Sequence, residues 1–276
     1  MSGSESGADR IAAAFRRAGE QGRAALMPYM MGGFPDRETA TAIARAYIAG
    51  GADLIELGVP FSDPLADGPV IHEAATRALE AGTRLDDVLA TCREVSGQVP
   101  VILMAYTNSV LGGGGPADFG ARAVAAGAAG VIVPDLPLGE DEQIRSGLSG
   151  SGLAVVPLVA PTTLGERRVR ICEAAEGFVY VVSAVGTTGE RSEVPDHLGR
   201  LVAEVKAESA VPVAVGFGIG SPEHAATVGK IADGVIIGSK LVRIVAEAGP
   251  GEAAPAVRQF VAAAAEAVAS ARSGVR

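Results

Sequence analysis

Four times along this chain an Ala-rich helical stretch runs into a glycine and then into a short β-branched run. The four copies are YIAGGADLIELGV (47–59), AVAAGAAGVIVPD (123–135), CEAAEGFVYVVS (172–183) and ATVGKIADGVIIGS (226–239). Glycine ends each helix because it enters the left-handed C-cap conformation without a Cβ penalty. The apolar runs lack clean alternation, the mark of parallel strands covered on both faces. AALMPYMMG (24–32), VPVILMAYT (99–107), GLAVVPLVA (152–160) and AVPVAVGFG (210–218) bring the total to eight such runs, separated by helical stretches. Eight β-then-α units without a long polar linker predict an α/β fold, a closed (β/α)8 TIM barrel rather than an open doubly wound sheet. A helix near residues 10–19 is expected to close the barrel bottom, a second helical stretch over 83–96 lengthens the connection after the second strand, and 252–272 reads as the last outer helix.

The 276 residues suit one domain, read as 10–276 after a flexible N-terminal tail over 1–9. With 32 acidic against 23 basic residues, the net charge of −9 argues against sequence-independent nucleic-acid binding. An anionic ligand must therefore be held locally. Cys92 and Cys172 are too few and too far apart for a disulfide framework or a zinc site, which fits a reducing cytoplasm. The opening MSGSESGADR lacks the basic start and apolar core of a secretory signal. The uncharged part of 95–117 is interrupted by Gln98, Pro100, Asn108 and the glycines 112–115, so no membrane span is expected.

ELGVPFSDPLADGP (56–69) departs from this plan, because Glu56 lies inside an apolar run instead of at its edge. With the second strand taken as 53–59, a period of two puts Leu54, Glu56 and Gly58 on one face. If that face points inward, Glu56 projects near the top of the barrel, where such folds place their active sites. Burial disfavours the charged carboxylate and raises its pKa, the adjustment that suits a Glu to proton transfer near neutral pH. The competing reading is an internal ion pair with an arginine. Asp63 and Asp67 follow on a loop stiffened by Pro60, Pro64 and Pro69; Asp63 fits a turn-capping role, and Asp67 fits capping or chemistry equally. Asp63, Asp67 and His72 match no metal-ligand spacing, and no metal is expected.

Downstream, GFGIGS (216–221) and IIGSK (236–240) follow the seventh and eighth strands, where backbone N–H groups and a helix N-terminus commonly hold a phosphate. Gly218, Gly238 and Ser239 are the candidates; each glycine cluster taken alone is equally explained as a turn. SAVGTTGERSEVP (183–195) has the composition of a lid over substrate or of an idle surface loop. Tyr180, on the strand below, reads first as core packing, with a hydroxyl that needs a partner.

The long motif at 56–69 resembles the signature of the tryptophan synthase α subunit. The likeness extends through PYMMGGFPD, MAYTN, VPDLP, GTTG, GFGIGSPE and GSKLV, nearly the whole chain. It implies a lyase of L-tryptophan biosynthesis that cleaves indole-3-glycerol phosphate to indole and glyceraldehyde 3-phosphate. By the resemblance, Glu56 is the acid–base group, Asp67 contacts the indole N–H, and Thr188 meets Asp67 on closure. Tyr29, Tyr106 and Ile132 would line the indole pocket, with Tyr180 beside the substrate and Gly189 and Phe217 in further contact. Gly218, Gly238 and Ser239 would hold the phosphate. The resemblance implies no cofactor in this chain. It implies docking on a pyridoxal-phosphate β subunit in an α2β2 heterotetramer, through loops around Asp63 and Thr188 and the segment near Pro137. Ala184 stands where many relatives carry Arg, Tyr29 replaces a commoner Phe, and the glycine run 112–115 is unusual.

That chemistry is a retro-aldol cleavage. Protonation of indole C3 makes the ring an electron sink, and the C–C bond breaks once the glycerol hydroxyl loses its proton. No Schiff base is needed, and Lys206, Lys230 and Lys240 all fall outside the strand interiors. A sugar-phosphate isomerase would share the phosphate loops without needing Glu56 and Asp67. A free-standing indole-releasing lyase would share every site residue, and a non-catalytic regulatory barrel would need neither acid.

Overall fold

All eight apolar runs become strands of one parallel sheet, and the fifth becomes two. The computed structural model describes residues 5–182, 196–216 and 218–273. Its strands are β1 (Ala25–Met31), β2 (Ile55–Gly58), β3 (Val101–Met104), β4 (Ala128–Ile132), β5 (Ala154–Val155), β6 (Leu158–Val159), β7 (Val179–Val182), β8 (Val213–Gly216) and β9 (Gly234–Ile237). Their order around the sheet is β5-β4-β3-β2-β1-β9-β8-β7-β6. The two ends of that order are halves of one run, so the wall curls back on itself. The break falls at Val156 and Pro157, since proline has no N–H for a sheet interior. Both sides are bridged: Val156 N–H donates to the Val131 carbonyl at 2.9 Å and Tyr180 N–H to the Pro157 carbonyl at 3.0 Å. Eight βα units therefore carry nine strands, against the eight expected.

Helices alternate with these strands: α1 (Gly7–Glu20), α2 (Arg37–Ala49), α3 (Pro69–Glu80), α4 (Leu85–Val95), α5 (Thr107–Leu111), α6 (Pro116–Ala125), α7 (Glu142–Ser149), α8 (Gly165–Glu173), α9 (Asp196–Glu208), α10 (Pro222–Ile231), α11 (Ser239–Glu247) and α12 (Ala253–Ser273). Among the described residues, no helix is long and apolar enough to cross a membrane. The extra helix after the second strand is α4, and the last outer helix is α12, as expected. The second strand is shorter than the 53–59 of the sequence reading, because Asp53 is otherwise engaged. Its carboxylate accepts from Leu26 N–H at 2.8 Å and pairs with both terminal nitrogens of Arg23, at 2.5 and 2.8 Å.

Packing divides into an outer layer between wall and helices and an inner column. Met27, Leu54, Ile102, Ile132, Val156, Phe178, Ala214 and Ile236 fill the column, one from each apolar run. Its floor is α1, whose Ile11, Ala14, Phe15 and Ala18 are buried at the spacing of one helical face. Phe15 packs on Phe178 with ring centroids 5.6 Å apart. The helix starts three residues before the expected Arg10, because Ser6 caps it and exchanges hydrogen bonds with Asp9 in a capping box. Arg10 then ties it to the wall, donating to the Gly127 carbonyl at 2.9 Å and the Ser96 carbonyl at 2.6 Å.

The floor sits so close to the strand ends that a Cβ on Gly7 would overlap the Ala129 carbonyl oxygen, whereas one on Gly19 of the same helix would meet nothing within 4 Å. The two glycines therefore respond oppositely to one methyl group. Gly7→Ala is expected to lower stability by about 1–3 kcal/mol through overpacking. Gly19→Ala is expected to raise it by roughly 0.5–1 kcal/mol, since alanine loses less backbone entropy in a helix. Urea unfolding midpoints measure both, and two shifts of the same sign would refute this account of the floor.

Candidate active site

Register places Glu56 inside the barrel. It pairs with Tyr29 on one side and Ile102 on the other, on the face that carries Leu54 below and Gly58 above. The residue is 2% exposed, and its Oε2 is buried without a hydrogen-bond partner. No arginine or lysine pairs with it among the described residues, which removes the ion-pair reading. Burial is the main reason that its carboxyl is pushed up to about 8, and the negative charge of Asp67 adds to the effect.

Asp67 reaches the same space from the loop between β2 and α3. Its N–H donates to the Pro64 carbonyl at 3.2 Å, closing a turn that presents the side chain. Burial pushes its carboxyl up to about 6, opposed by a hydrogen bond from Tyr106 and by nearby His72. Tyr106 follows β3 and fixes this loop: its hydroxyl accepts from Ala66 N–H at 3.1 Å, and its ring stacks on Phe61 with centroids 5.2 Å apart. Asp63 is exposed and accepts from its neighbour Ser62 Oγ at 2.7 Å, as a turn residue does. Among the described residues no group of three His, Cys, Asp or Glu could hold a metal ion.

Two phenols flank the acids, each resting over a glycine of the next strand. A Cβ on Gly58 would overlap the Tyr29 hydroxyl and lie 2.9 Å from Cζ; one on Gly216 would overlap the Tyr180 hydroxyl in the same way. The offset is identical. Tyr29 pairs with Glu56, two residues before Gly58, and Tyr180 pairs with Ala214, two residues before Gly216. Buried Tyr47 of α2 anchors the first phenol by donating its hydroxyl to the Tyr29 carbonyl at 3.0 Å. Ile132 is fully buried in the wall below.

On the other side of β1 from the loop of Asp67, Gly238 is the N-cap of α11 and Ser239 its first residue, 7% exposed. The Gly238 carbonyl accepts from Leu241 and Val242, and the N–H groups of Ser239 and Lys240 before them have no acceptor within the helix. Gly216 pairs with Ile236, so Gly218 and Gly238, two residues on, lie level at the barrel mouth. A Cβ on Gly238 would be 3.8 Å from the Tyr29 Cβ, which puts this helix end beside the first phenol. All three lysines lie on helices, Lys206 on α9, Lys230 on α10 and Lys240 on α11.

The structure thus brings Glu56, Asp67, Tyr29, Tyr106 and Tyr180 together, with Gly238 and Ser239 next to Tyr29 and Ile132 buried in the inner column. Thr188, Gly189, Phe217 and Ala184 lie outside the described residues. Sequence reasoning gave Gly58 and Gly216 no role in the site. The available signal was a glycine inside a β-branched run, which marks a close approach by another group. It passed over Tyr47 as well, and nothing in the sequence names the carbonyl that Tyr47 meets.

Comparison with known proteins follows the same lines. The family model for the tryptophan synthase alpha chain matches residues 15–272. The tryptophan synthase alpha chain of Prochlorococcus marinus is 48% identical over 244 residues, covering 87% of this chain and 88% of the relative. That of Synechocystis is 45% identical over 253 residues, covering 91% and 96%. In structure, the chain resembles Mycobacterium tuberculosis tryptophan synthase with a TM-score of 0.86 and 38% identity, over 94% of this chain and 98% of that one. Tryptophan synthase subunit alpha from Legionella pneumophila gives 0.85 and 36%, over 94% and 98%. With a matching family model over most of its length and relatives near half identity, the chain belongs to the tryptophan synthase alpha chain family.

Proposed function

We propose that Glu56 and Asp67 divide the acid–base work of the family's reaction, the cleavage of indole-3-glycerol phosphate to indole and glyceraldehyde 3-phosphate. The observation that carries this reading is Glu56 itself, 2% exposed, with a partnerless Oε2 and a second carboxylate facing it. A regulatory barrel has no use for such a group. Near neutral pH the Glu56 carboxyl holds its proton, and Asp67 has lost its own.

The protonated Glu56 gives its proton to ring C3. The C2=C3 electrons form the new C–H bond, and positive charge develops at N1, where the Asp67 carboxylate stabilises it. The Glu56 carboxylate then removes the proton from the hydroxyl on the carbon bonded to the ring. The O–H electrons become the aldehyde C=O, the C–C bond breaks, and its electrons restore the aromatic ring. Glu56 ends as it began. The N-terminus of α11, with Gly218, Gly238 and Ser239, holds the phosphate by backbone dipoles, as an acidic protein requires. Tyr106 and Ile132 bound the indole ring.

The family implies a β-subunit partner, and the α2β2 heterotetramer with pyridoxal phosphate in the β subunit is part of this proposal, as is a cytoplasmic location. Leu65, 85% exposed beside Asp67 on the mouth loop, supplies an apolar contact of the kind that a partner covers. The loop around Asp63 and the segment near Pro137 are the other surfaces assigned to it. This chain supplies the cleavage site, and the partner consumes the indole.

Glu56→Gln keeps shape and removes the proton. Turnover is expected to fall by roughly 10² to 10⁴ while substrate affinity changes only a few-fold, read as indole release from indole-3-glycerol phosphate. Equal rates for the two proteins would end the assignment.

A second test uses pH. Activity in kcat/KM should rise as Asp67 ionises near 6 and fall as Glu56 ionises near 8, a bell whose limbs belong to the coupled pair. Glu56→Gln should abolish the bell in any residual activity; a flat wild-type profile from 5 to 9 is the contrary result.

Stability provides a third. The folded protein keeps the Glu56 proton that the unfolded chain releases, so between about 4.5 and about 8 the native state binds more protons. Stability from this group is therefore lost as pH rises through that window. Glu56→Gln should melt above wild type by a margin that grows from pH 4.5 to 8, a few kcal/mol in order of magnitude. A constant margin in thermal melts would contradict it.

A further inference from the structure

Tyr29 carries a hydroxyl that the fold does not use. The tyrosine is 4% exposed, with its Cβ on the side of Gly238 and its tip over Gly58. Tyr47 donates to its backbone carbonyl at 3.0 Å, so its place in the strand is fixed without help from the side-chain oxygen. The hydroxyls of Tyr47 and Tyr106 both make hydrogen bonds to backbone, whereas those of Tyr29 and Tyr180 make none among the described residues, and of these two only Tyr29 pairs with Glu56 across the sheet. A phenylalanine would pack as well. A hydroxyl at a site without a protein partner is free to bond water or whatever enters the site.

Register says what it would meet. Tyr29 pairs with Glu56, and its tip lies over Gly58, two residues further along the same face and thus roughly 6.6 Å nearer the mouth. The phenol therefore spans the distance from the helix end at Gly238 to the space above Glu56. A ligand with its phosphate at α11 and its ring at Asp67 must lay its glycerol chain along this phenol.

We infer that the Tyr29 hydroxyl donates a hydrogen bond to the oxygen on the substrate carbon that is bonded to the indole ring, and holds that oxygen while Glu56 removes its proton. This rests on the acid–base reading of Glu56 above. In the cleavage step the O–H proton passes to the Glu56 carboxylate, the O–H electron pair becomes the second C=O bond, and the C–C pair returns to the ring. Tyr29 keeps its own proton throughout. Its donated bond strengthens as negative charge grows on the oxygen, so it favours the transition state over bound substrate.

The test is Tyr29→Phe in the purified full-length chain, beside wild type and Glu56→Gln. Three quantities are read: indole release from indole-3-glycerol phosphate, the dissociation constant of indole, and that of indole-3-propyl phosphate, which keeps ring and phosphate but lacks the hydroxyls. The expected result is a fall in kcat of about tenfold or more, as for a lost donor to a developing oxyanion. Affinities for indole and for the hydroxyl-free analogue should stay within about twofold, because no bond to either is lost. Unchanged kcat overturns the inference. So does a loss of analogue affinity equal to the loss of kcat, which would make Tyr29 a packing residue. If Glu56→Gln is inactive while Tyr29→Phe is not, only the role of Tyr29 falls; if Glu56→Gln turns over like wild type, the acid–base reading falls with it.

Discussion

Two acids on one stretch of chain meet opposite fates, and the difference between them organises the molecule. Asp53, just before β2, is held by both terminal nitrogens of Arg23 and by the N–H of Leu26. Three residues on, Glu56 has the same chemistry, deeper burial and no cation. The first acid joins the strand starts and is structural. The second carries a desolvation cost that nothing in the described wall offsets, so the fold must overdetermine its position. The inner column below it and α1 beneath the column do that by filling the space through which water would reach it from the floor. Lowering its proton affinity would have needed only one arginine.

The ion-paired cations with the most buried side chains lie away from the mouth. Lys206 pairs with Asp233 before β9, as Arg23 does with Asp53 before β2, both at strand starts. Buried Arg168 joins α8 to Glu204 and Glu208 of α9 on the outer layer. Neither Glu56 nor Asp67 enters an ion pair among the described residues, although Lys240, the second residue of α11, stands at the same end of the barrel. A lysine beside Glu56 would bind phosphate more strongly, but it would hold the carboxyl ionised and leave no proton for ring C3. In the proposed mechanism the α11 terminus supplies positive potential to the phosphate from backbone dipoles.

The sequence shows much of this and omits a definite part. An ionisable residue inside a β-branched run is legible because the run sets its face, and glycines past helix ends are legible at Gly51, Gly127 and Gly177, which take a positive φ; in the fourth copy Gly229 lies inside α10, which ends at Ile231 with an extended Ala232 instead. The broken fifth strand was in view as Pro157, yet proline alone does not say whether a run ends or bends; the bridging bonds from Val156 and to the Pro157 carbonyl decide that, and both come from neighbouring strands. Gly58 and Gly216 read as strand residues, since the phenols that need their space lie 29 and 36 positions earlier in the chain. The start of α1 was missed for a smaller reason: Ser6 lies in a Ser/Gly-rich segment that masks its capping box with Asp9. In each case the missing information concerns which distant group arrives, which local pattern does not carry.

The repeated tyrosine-over-glycine arrangement shows how such arrivals become a site. In both copies a phenol leans from one strand onto the next at a position two residues beyond its register partner. A glycine at that step lowers the wall by one side chain, and the phenol fills the gap while keeping its oxygen at the rim. The inner column changes accordingly along the strands, from closely packed Met27, Leu54 and Phe178 near the floor to Gly58, Gly216 and Gly238 at the mouth. A parallel barrel aligns all its strands in one direction, so small residues at the ends of several strands open a single cavity at one end. Glu56 lies where the packed column gives way to those glycines, deep enough to keep its proton near neutral pH.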